Sequence, residues 1–193
     1  TPRTTGGFAS RWCLLGLGKL GGRALGYASD LELLFVYADE GSTDGARPVR
    51  NQEFFERMVR DATGRIRARR EGIFETDLRL RPHGDSGPLA VRLDQFVAYY
   101  GGGGEAHSLE RLALVRLRAI CGDHDLGVQV EGLRDAIVYE SRVIDPVAIR
   151  NLRLKQLEQR AGGSRVNAKY SAGGLVDLEY NVQLLQVIHG SED

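Results

Sequence analysis

Two short apolar runs, residues 12–15 and 31–37, stand either side of a glycine-rich stretch, and only the nine residues 22–30 separate Gly21 from the second run. That short connection is the tightest constraint in the chain. Gly16, Gly18 and Gly21 match the dinucleotide fingerprint G-x-G-x-x-G, follow a strand-like run, and have Asp39 near the expected place of a ribose-binding acid. A crossover helix between parallel strands, however, needs about a dozen residues. The connection is too short and contains Gly26 as well, so a doubly wound NAD-binding domain is disfavoured. A Walker A loop also fails, because Gly21-Gly22 stands where Gly-Lys-Ser/Thr is required.

Residues 12–15 and 31–37 read as strands, and residues 50–70 carry Phe54, Phe55, Met58, Val59, Ala62 and Ile66 at helical spacing. Residues 73–81 alternate, with Phe74, Leu78 and Leu80 on one side, which predicts a half-buried strand stopped by Pro82. Helices follow over residues 93–100, 108–120, 126–139, 147–159 and 175–188. These patterns predict an α/β part over residues 1–100, a glycine joint at 101–104, and an all-α portion over 105–193. The first residue is Thr1 and not Met, so the expectation is a piece of a longer protein.

Composition removes several function classes. Twenty-five glycines invite a reading of low complexity or collagen, but 42% of residues are apolar, they fall in periodic blocks, and no Gly-X-Y period exists. The formal net charge is zero, which argues against a nucleic-acid binder held by bulk phosphate neutralisation. Cys13 and Cys121 cannot build a disulfide framework or a four-ligand zinc site; both sit in apolar runs and read as buried thiols of a cytoplasmic protein. No apolar stretch approaches the ~20 residues needed to span a bilayer, so no membrane association is expected. The four histidines lack metal-ligand spacing, and Gly84-Asp85-Ser86-Gly87-Pro88 reads as a turn rather than a serine-protease loop.

The residues that carry chemistry are acidic. Asp30 and Glu32 stand two apart at the start of an apolar strand, so both project from one face about 6 to 7 Å apart. Glu75, Asp77, Arg79 and Arg81 share parity on the later strand. If the two strands are neighbours, three or four carboxylates and two guanidiniums converge on one sheet face. Carboxylates that close repel by several kcal/mol at an effective dielectric of ~20, a cost that divalent cations remove. Two hard cations bridged by Asp30, Glu32 and Asp77 would form the clamp used in phosphoryl and nucleotidyl transfer, with the arginines on phosphate oxygens. The alternative, an ordinary polar-out face of an edge strand, stays open at this stage.

Gly18-Lys19, ten further residues, then Asp30-Leu31-Glu32-Leu33 resembles the signature of the DNA polymerase beta-like nucleotidyltransferase superfamily. The fuller wording is similar to the glutamine synthetase adenylyltransferase family: residues 16–23, 27–35, Asp77-Leu78-Arg79-Leu80-Arg81-Pro82, residues 84–89, and residues 169–180 with Val182-Gln183. The resemblance implies an α+β fold, with a nucleotidyltransferase-type mixed sheet and flanking helices before a helical bundle. It implies a metal-dependent module, with two Mg2+ ions and ATP or ADP, that moves AMP on or off a tyrosine of glutamine synthetase. It also implies glutamine synthetase and a PII-type signal protein as partners. Ser86-Gly87-Pro88-Leu89, Tyr99-Tyr100 and Glu110-Arg111 are closer to the amino-terminal, AMP-removing module of that family.

By resemblance and geometry, Asp30 and Glu32 hold the metal ions, and Asp77 completes one site and orients or deprotonates the nucleophile. Backbone N–H groups at Gly18, Gly21 and Gly22, with Lys19 or Arg23, are expected at phosphate oxygens. Ser29 is either a ligand or a turn former. Arg79 and Arg81 suit phosphate contacts or simple pairing with Glu75 or Asp77. Arg111 and Arg118 are expected on a solvated helix face, and Lys169, Asp177 and Glu179 in structural roles. Three departures from the family's usual pattern stand out: Glu32 where Asp is commoner, Leu109 where tryptophan is usual, and glycines at 101–104 in a normally charged loop. A catalytically degenerate docking module remains the competing reading.

Overall fold

The computed structural model describes residues 1–27, 29–66, 75–141, 143–160 and 167–190. Strand β1 (Trp12–Gly16) leads through the short helix α1 (Gly18–Gly21) to β2 (Leu31–Tyr37). The two strands pair antiparallel, Trp12 opposite Tyr37 and Gly16 opposite Leu33, which is what a nine-residue connection permits. After helix α2 (Asn51–Arg65), the two-residue strand β3 (Thr76–Asp77) and then β4 (Ala90–Arg92) both run parallel to β2 along its other flank. Helices α3 (Leu93–Tyr100) and α4 (Ser108–Ala113) follow, then strand β5 (Arg118–Gly122), which pairs antiparallel with β1. Helices α5 (His124–Asp135), α6 (Pro146–Arg160) and α7 (Leu175–His189) complete the described elements. The result is a five-stranded mixed sheet with order β3-β2-β1-β5 and β4 alongside β2, in accord with the α+β class.

Strand alternation divides the core in two. Phe35 and Tyr37 face α2, where Phe55 and Val59, four apart on one helical face, close over them; Trp12 stacks on Phe35 with ring centroids 5.3 Å apart. Leu34 and Val36 point the other way with Cys13 and Leu15, into the larger cluster built by α3, α4 and α5 through Phe96, Tyr100, Leu112 and Leu126. Glu32 shares the parity of Leu34 and Val36. It therefore lies on the face that helices cover, and the polar-out edge reading is overturned.

Several expectations need correction. Residues 108–120 are not one helix: α4 ends at Ala113, a 3-10 turn covers Leu114–Arg116, and β5 begins at Arg118. Apolar residues 115, 117 and 119 alternate there, and the open flank of β1 supplies hydrogen-bond partners that a helix would leave unused. A sheet strand thus lies within the stretch read as all-α. Residues 101–104 form a turn bound by buried Arg111, whose guanidinium donates to the carbonyls of Tyr100 (2.7 Å), Gly101 (3.0 Å), Gly104 (2.9 Å) and Ala106. Arg118 is likewise engaged, donating to the carbonyls of Leu20 and Gly21 at 3.1 and 3.0 Å. Neither arginine occupies a solvated face. Cys13 is buried and burial pushes its thiol up to about 12, but Cys121 is exposed. The expected strand over 73–81 is described only from residue 75, and as a strand only at Thr76–Asp77; residues 67–70 at the end of the long helix also lie outside the described residues.

Candidate active site

Leu31 pairs with Thr76 and Glu32 with Asp77, so the parallel register of β2 and β3 sets the two carboxylates side by side. Gly18 lies beneath them with φ +49°. A Cβ there would fall 1.5 Å from Glu32 Oε2, so glycine is required both by the backbone and by the carboxylate packed on it. The N–H of Leu17 donates to the Glu32 carbonyl at 2.9 Å and holds the loop to β2. Burial raises the Glu32 pKa, and the neighbouring charges of Asp77, Glu179 and Asp30 raise it further, with Arg116 opposing.

Asp77 is held in the opposite sense. Arg79 donates from Nη2 to Oδ2 (2.6 Å), from Nε to Oδ1 (3.0 Å) and from its backbone N–H to Oδ1 (2.9 Å). These bonds keep the Asp77 carboxyl below the usual carboxylate range. Among the described residues no three His, Cys, Asp or Glu side chains are already gathered as a metal cage. Asp77 spends both oxygens on Arg79, and Asp30 is exposed. The donor set itself fits a hard divalent cation: all oxygen, all acidic, with Glu32 carrying no hydrogen-bonded partner on its carboxylate among the described residues and crowded by three other acids.

The acids open into a cavity of about 440 Å3, walled by Gly18, Glu32, Asp77 and Arg79 from the sheet side and by α4 and α7 opposite. A second cavity of about 300 Å3 shares Gly18, Glu32 and Glu179 and is lined by Lys19, Asp30 and Lys169. Two of the chain's three lysines thus face one recess beside the acids. Ser29 borders that recess, but its hydroxyl accepts the Gly26 N–H at 3.2 Å, so it is a turn former.

The other expected ligands are placed elsewhere. Gly21 and Gly22 border a different hollow formed with residues 115–118, and a Cβ on Gly21 would lie 1.9 Å from the Arg116 carbonyl oxygen. Their glycine character serves close packing of α1 on the 3-10 turn. Arg23 is exposed, with φ 54°. Arg81 is buried, donates to the carbonyls of Leu78 (2.8 Å) and Gly87 (3.1 Å), and pairs with Asp85 at 3.7 Å. It pins the 78–87 loop and is not free for phosphate.

Sequence reasoning gave Glu179 a structural role and assigned no site role to Tyr180, Gln183 or Glu110. Helix α7 brings the first three to the cavity, and α4 brings Glu110 with Leu109, which the sequence had marked as a departure. Asp177 is structural, as expected: it takes Arg153 Nε at 2.5 Å and the Gly173 N–H at 2.7 Å. Glu179, two residues on, pairs with Arg116 at 2.6 Å and faces Glu32. The available signal was the i, i+4 spacing of Glu179 and Gln183, which puts both on one helix face.

The acids, the glycine beneath them and the order of their motifs can now be compared with known proteins. The family model for glutamate-ammonia ligase adenylyltransferase matches residues 2–133. The chain belongs to that family. It is 36% identical over 203 residues to a protein of Thioalkalivibrio sulfidiphilus, covering all of this chain and 20% of the relative. It is 39% identical over 194 residues to one of Pseudomonas aeruginosa, covering 97% and 20%, and 34% identical over 200 residues to one of Methylococcus capsulatus, covering 100% and 21%. Each of these is named a bifunctional glutamine synthetase adenylyltransferase/adenylyl-removing enzyme. The chain spans about a fifth of the length of the curated relatives it matches.

One prediction follows from the crowding. A carboxyl whose folded pKa is raised above its unfolded value makes ionisation unfavourable in the fold, so its contribution to stability falls as pH rises from the unfolded pKa through the folded one. Glu32→Gln should therefore raise the melting temperature at pH 7 by about 1–3 °C, since one kcal/mol moves a domain of this size by a few degrees. The gain should vanish at a pH low enough to protonate Glu32 itself. A fall in melting temperature at pH 7 would contradict the crowding.

Proposed function

We propose that the chain is a metal-dependent nucleotidyltransferase module that moves AMP between ATP or ADP and a tyrosine of glutamine synthetase, and so regulates nitrogen assimilation in the cytoplasm. The observation that carries this reading is the Glu32–Asp77 register beside Gly18, on a covered sheet face that opens into a cavity, in a chain of this family. Asp30, Glu32 and Asp77 would hold one or two Mg2+ ions, which when bound supply positive charge to the phosphate oxygens. Asp77, kept ionised by Arg79, suits ligation and orientation of the nucleophile better than proton abstraction. Lys19 and Lys169 sit where a phosphate tail would leave the acids, and Arg79 is free to exchange its carboxylate for phosphate because it is 71% exposed.

In the adenylylating direction the tyrosine hydroxyl gives up its proton to solvent as its oxygen bonds to the α-phosphorus, the α–β phosphoanhydride breaks and pyrophosphate leaves. In the removing direction inorganic phosphate attacks the AMP phosphorus, the tyrosine leaves protonated and ADP forms. The wording of residues 86–89, 99–100 and 110–111 favours removal. Glutamine synthetase is the protein partner, with a PII-type protein as a regulator; neither nucleic acid nor membrane has a place in this reading, and no helix among the described residues is long and apolar enough to cross a bilayer.

Calorimetric titration with ATP and ADP, with and without Mg2+, tests the reading. Binding that requires the metal is expected. NADH binding without metal would overturn it, and metal-dependent binding with no AMP transfer in the complete protein would convert the module to a docking element.

A further inference from the structure

The 440 Å3 cavity has two polar side chains without a hydrogen-bonded partner among the described residues. One is Glu32, among the acids. The other is Gln183, on α7, whose carboxamide makes no hydrogen bond although the residue is only 6% exposed. The remaining polar groups on the wall are all engaged: Asp77 with Arg79, Glu179 with Arg116, Glu110 with the Tyr99 hydroxyl and the His107 N–H, and the Tyr180 hydroxyl with Gln156. With no partner from the protein among the described residues, the carboxamide on this wall is free to pair with whatever enters the cavity. Around it the wall is mainly apolar, formed by Leu80, Leu109, Ala113 and the body of Tyr180.

Glu179 and Gln183 lie one turn apart on the same face of α7, a rise of roughly 6 Å. Glu179 also borders the second recess with Asp30 and Lys169, whereas Gln183 lines only the larger cavity. A ligand with its phosphates at the acids would present a group to Gln183 at about the remove of the base from the phosphate in a nucleotide. The flat apolar walls suit a ring system, and a carboxamide offers a donor and an acceptor side by side. Adenine presents the complement: the exocyclic amine donates, and the adjacent ring nitrogen accepts.

We propose that Gln183 is the base-reading residue of the site, its Oε1 accepting from the adenine amine and its Nε2 donating to the neighbouring ring nitrogen, with Tyr180 and Leu109 flanking the ring. The assignment rests on the nucleotide reading above and adds to it the selection of adenine over guanine. Guanine presents a carbonyl and an N–H at the corresponding positions, so this arrangement of Gln183 pairs with it less well. A reversed carboxamide would complement guanine, so the adenine preference is one of degree and is what the test measures.

The test compares ATP, GTP and inorganic tripolyphosphate, each with Mg2+, by calorimetry on the whole chain carrying Gln183→Leu or Gln183→Glu, with circular dichroism to confirm the fold. Gln183→Leu should weaken ATP about tenfold or more, the scale of one lost bidentate pair, and bring ATP and GTP within a few-fold of one another. Tripolyphosphate affinity should not change. Gln183→Glu, which keeps the shape but replaces the donor with an acceptor, should shift the ATP-to-GTP ratio toward guanine, whose ring N–H and amine both donate. If both folded variants retain the wild-type ATP-to-GTP ratio, or if tripolyphosphate weakens as much as ATP, the assignment is wrong. A wild-type chain that binds tripolyphosphate and ATP with metal but shows no preference for ATP over GTP would also overturn it, while leaving the nucleotidyltransferase reading intact. A wild-type chain that binds no nucleotide overturns both.

Discussion

Asp77→Asn and, separately, Asp30→Asn should reduce AMP transfer and its phosphorolytic removal by about a thousandfold or more, with the fold preserved. The size follows from the several kcal/mol that a metal-held phosphate contributes at the transition state, at about 1.4 kcal/mol per factor of ten. The fold should survive because neither side chain carries the core. Asp30 is exposed, and Asp77 is paired with an arginine that is 71% exposed, an ion pair of a kind that contributes about 0–1 kcal/mol. Turnover on glutamine synthetase, measured beside circular dichroism and thermal melting, checks both halves. Near wild-type turnover in Mg2+ by either variant sinks the metal assignment. Loss of turnover together with a large fall in melting temperature would place that aspartate among the structural residues.

Gly21→Ala should lower stability strongly. The new Cβ would stand 1.9 Å from the Arg116 carbonyl oxygen and 2.5 Å from that of Gly16, both backbone atoms that cannot turn aside. Overpacking of this kind costs about 1–3 kcal/mol and sometimes more, or roughly 5–10 °C in melting temperature at the upper end for a chain of this length. Gly22→Ala is the control. Its Cβ would meet nothing closer than 3.3 Å, at the Gly18 carbonyl, and its φ of −75° is open to alanine. A near wild-type melting temperature is expected there. If Gly21→Ala melts normally but weakens nucleotide binding, Gly21 belongs at the phosphates after all and the packing account fails.

Parity put Asp30 and Glu32 on one face of their strand, but their meeting with Asp77 was conditional on the two strands being neighbours, which the β2–β3 register supplies for Glu32 and Asp77. Asp30 and Glu32 alternate with Leu31 and Leu33 and Asp77 sits opposite Leu78 in sequence parity, while Asp30 stays exposed just before β2. The nine-residue connection excluded a crossover, and the antiparallel pairing of β1 with β2 is what so short a link allows. The strand over 118–122 was less visible, because Leu109, Leu112 and Val115 continue a helical spacing into it. Only the free flank of β1 decides for a strand, and a flank is a property of the assembled sheet.

Arginine was the residue type least readable in advance. Arg79, Arg81, Arg111 and Arg118 look alike along the chain, but one grips a carboxylate and three bind backbone carbonyls. Each carries several fixed donors, so its role depends on which acceptors folding brings near, and those acceptors are as much as 98 residues away for Arg118. Gln183 shows the same limit, since nothing in local spacing separates a carboxamide on an outer helix face from one on a cavity wall.

What the sequence by itself determined is the order of the chemistry: the glycine before the acids, the two strands that carry them, and the family to which they belong. Those are local matters of residue type and period, and they need no knowledge of the partner elements. The tertiary structure alone decided which face of the sheet is covered, that Arg79 occupies Asp77, that Gly21 serves packing, and that α7 brings Glu179 and Gln183 to the acids. These depend on contacts between segments far apart in the chain, whose energies exist only once the sheet has closed and α4 and α7 have come against it.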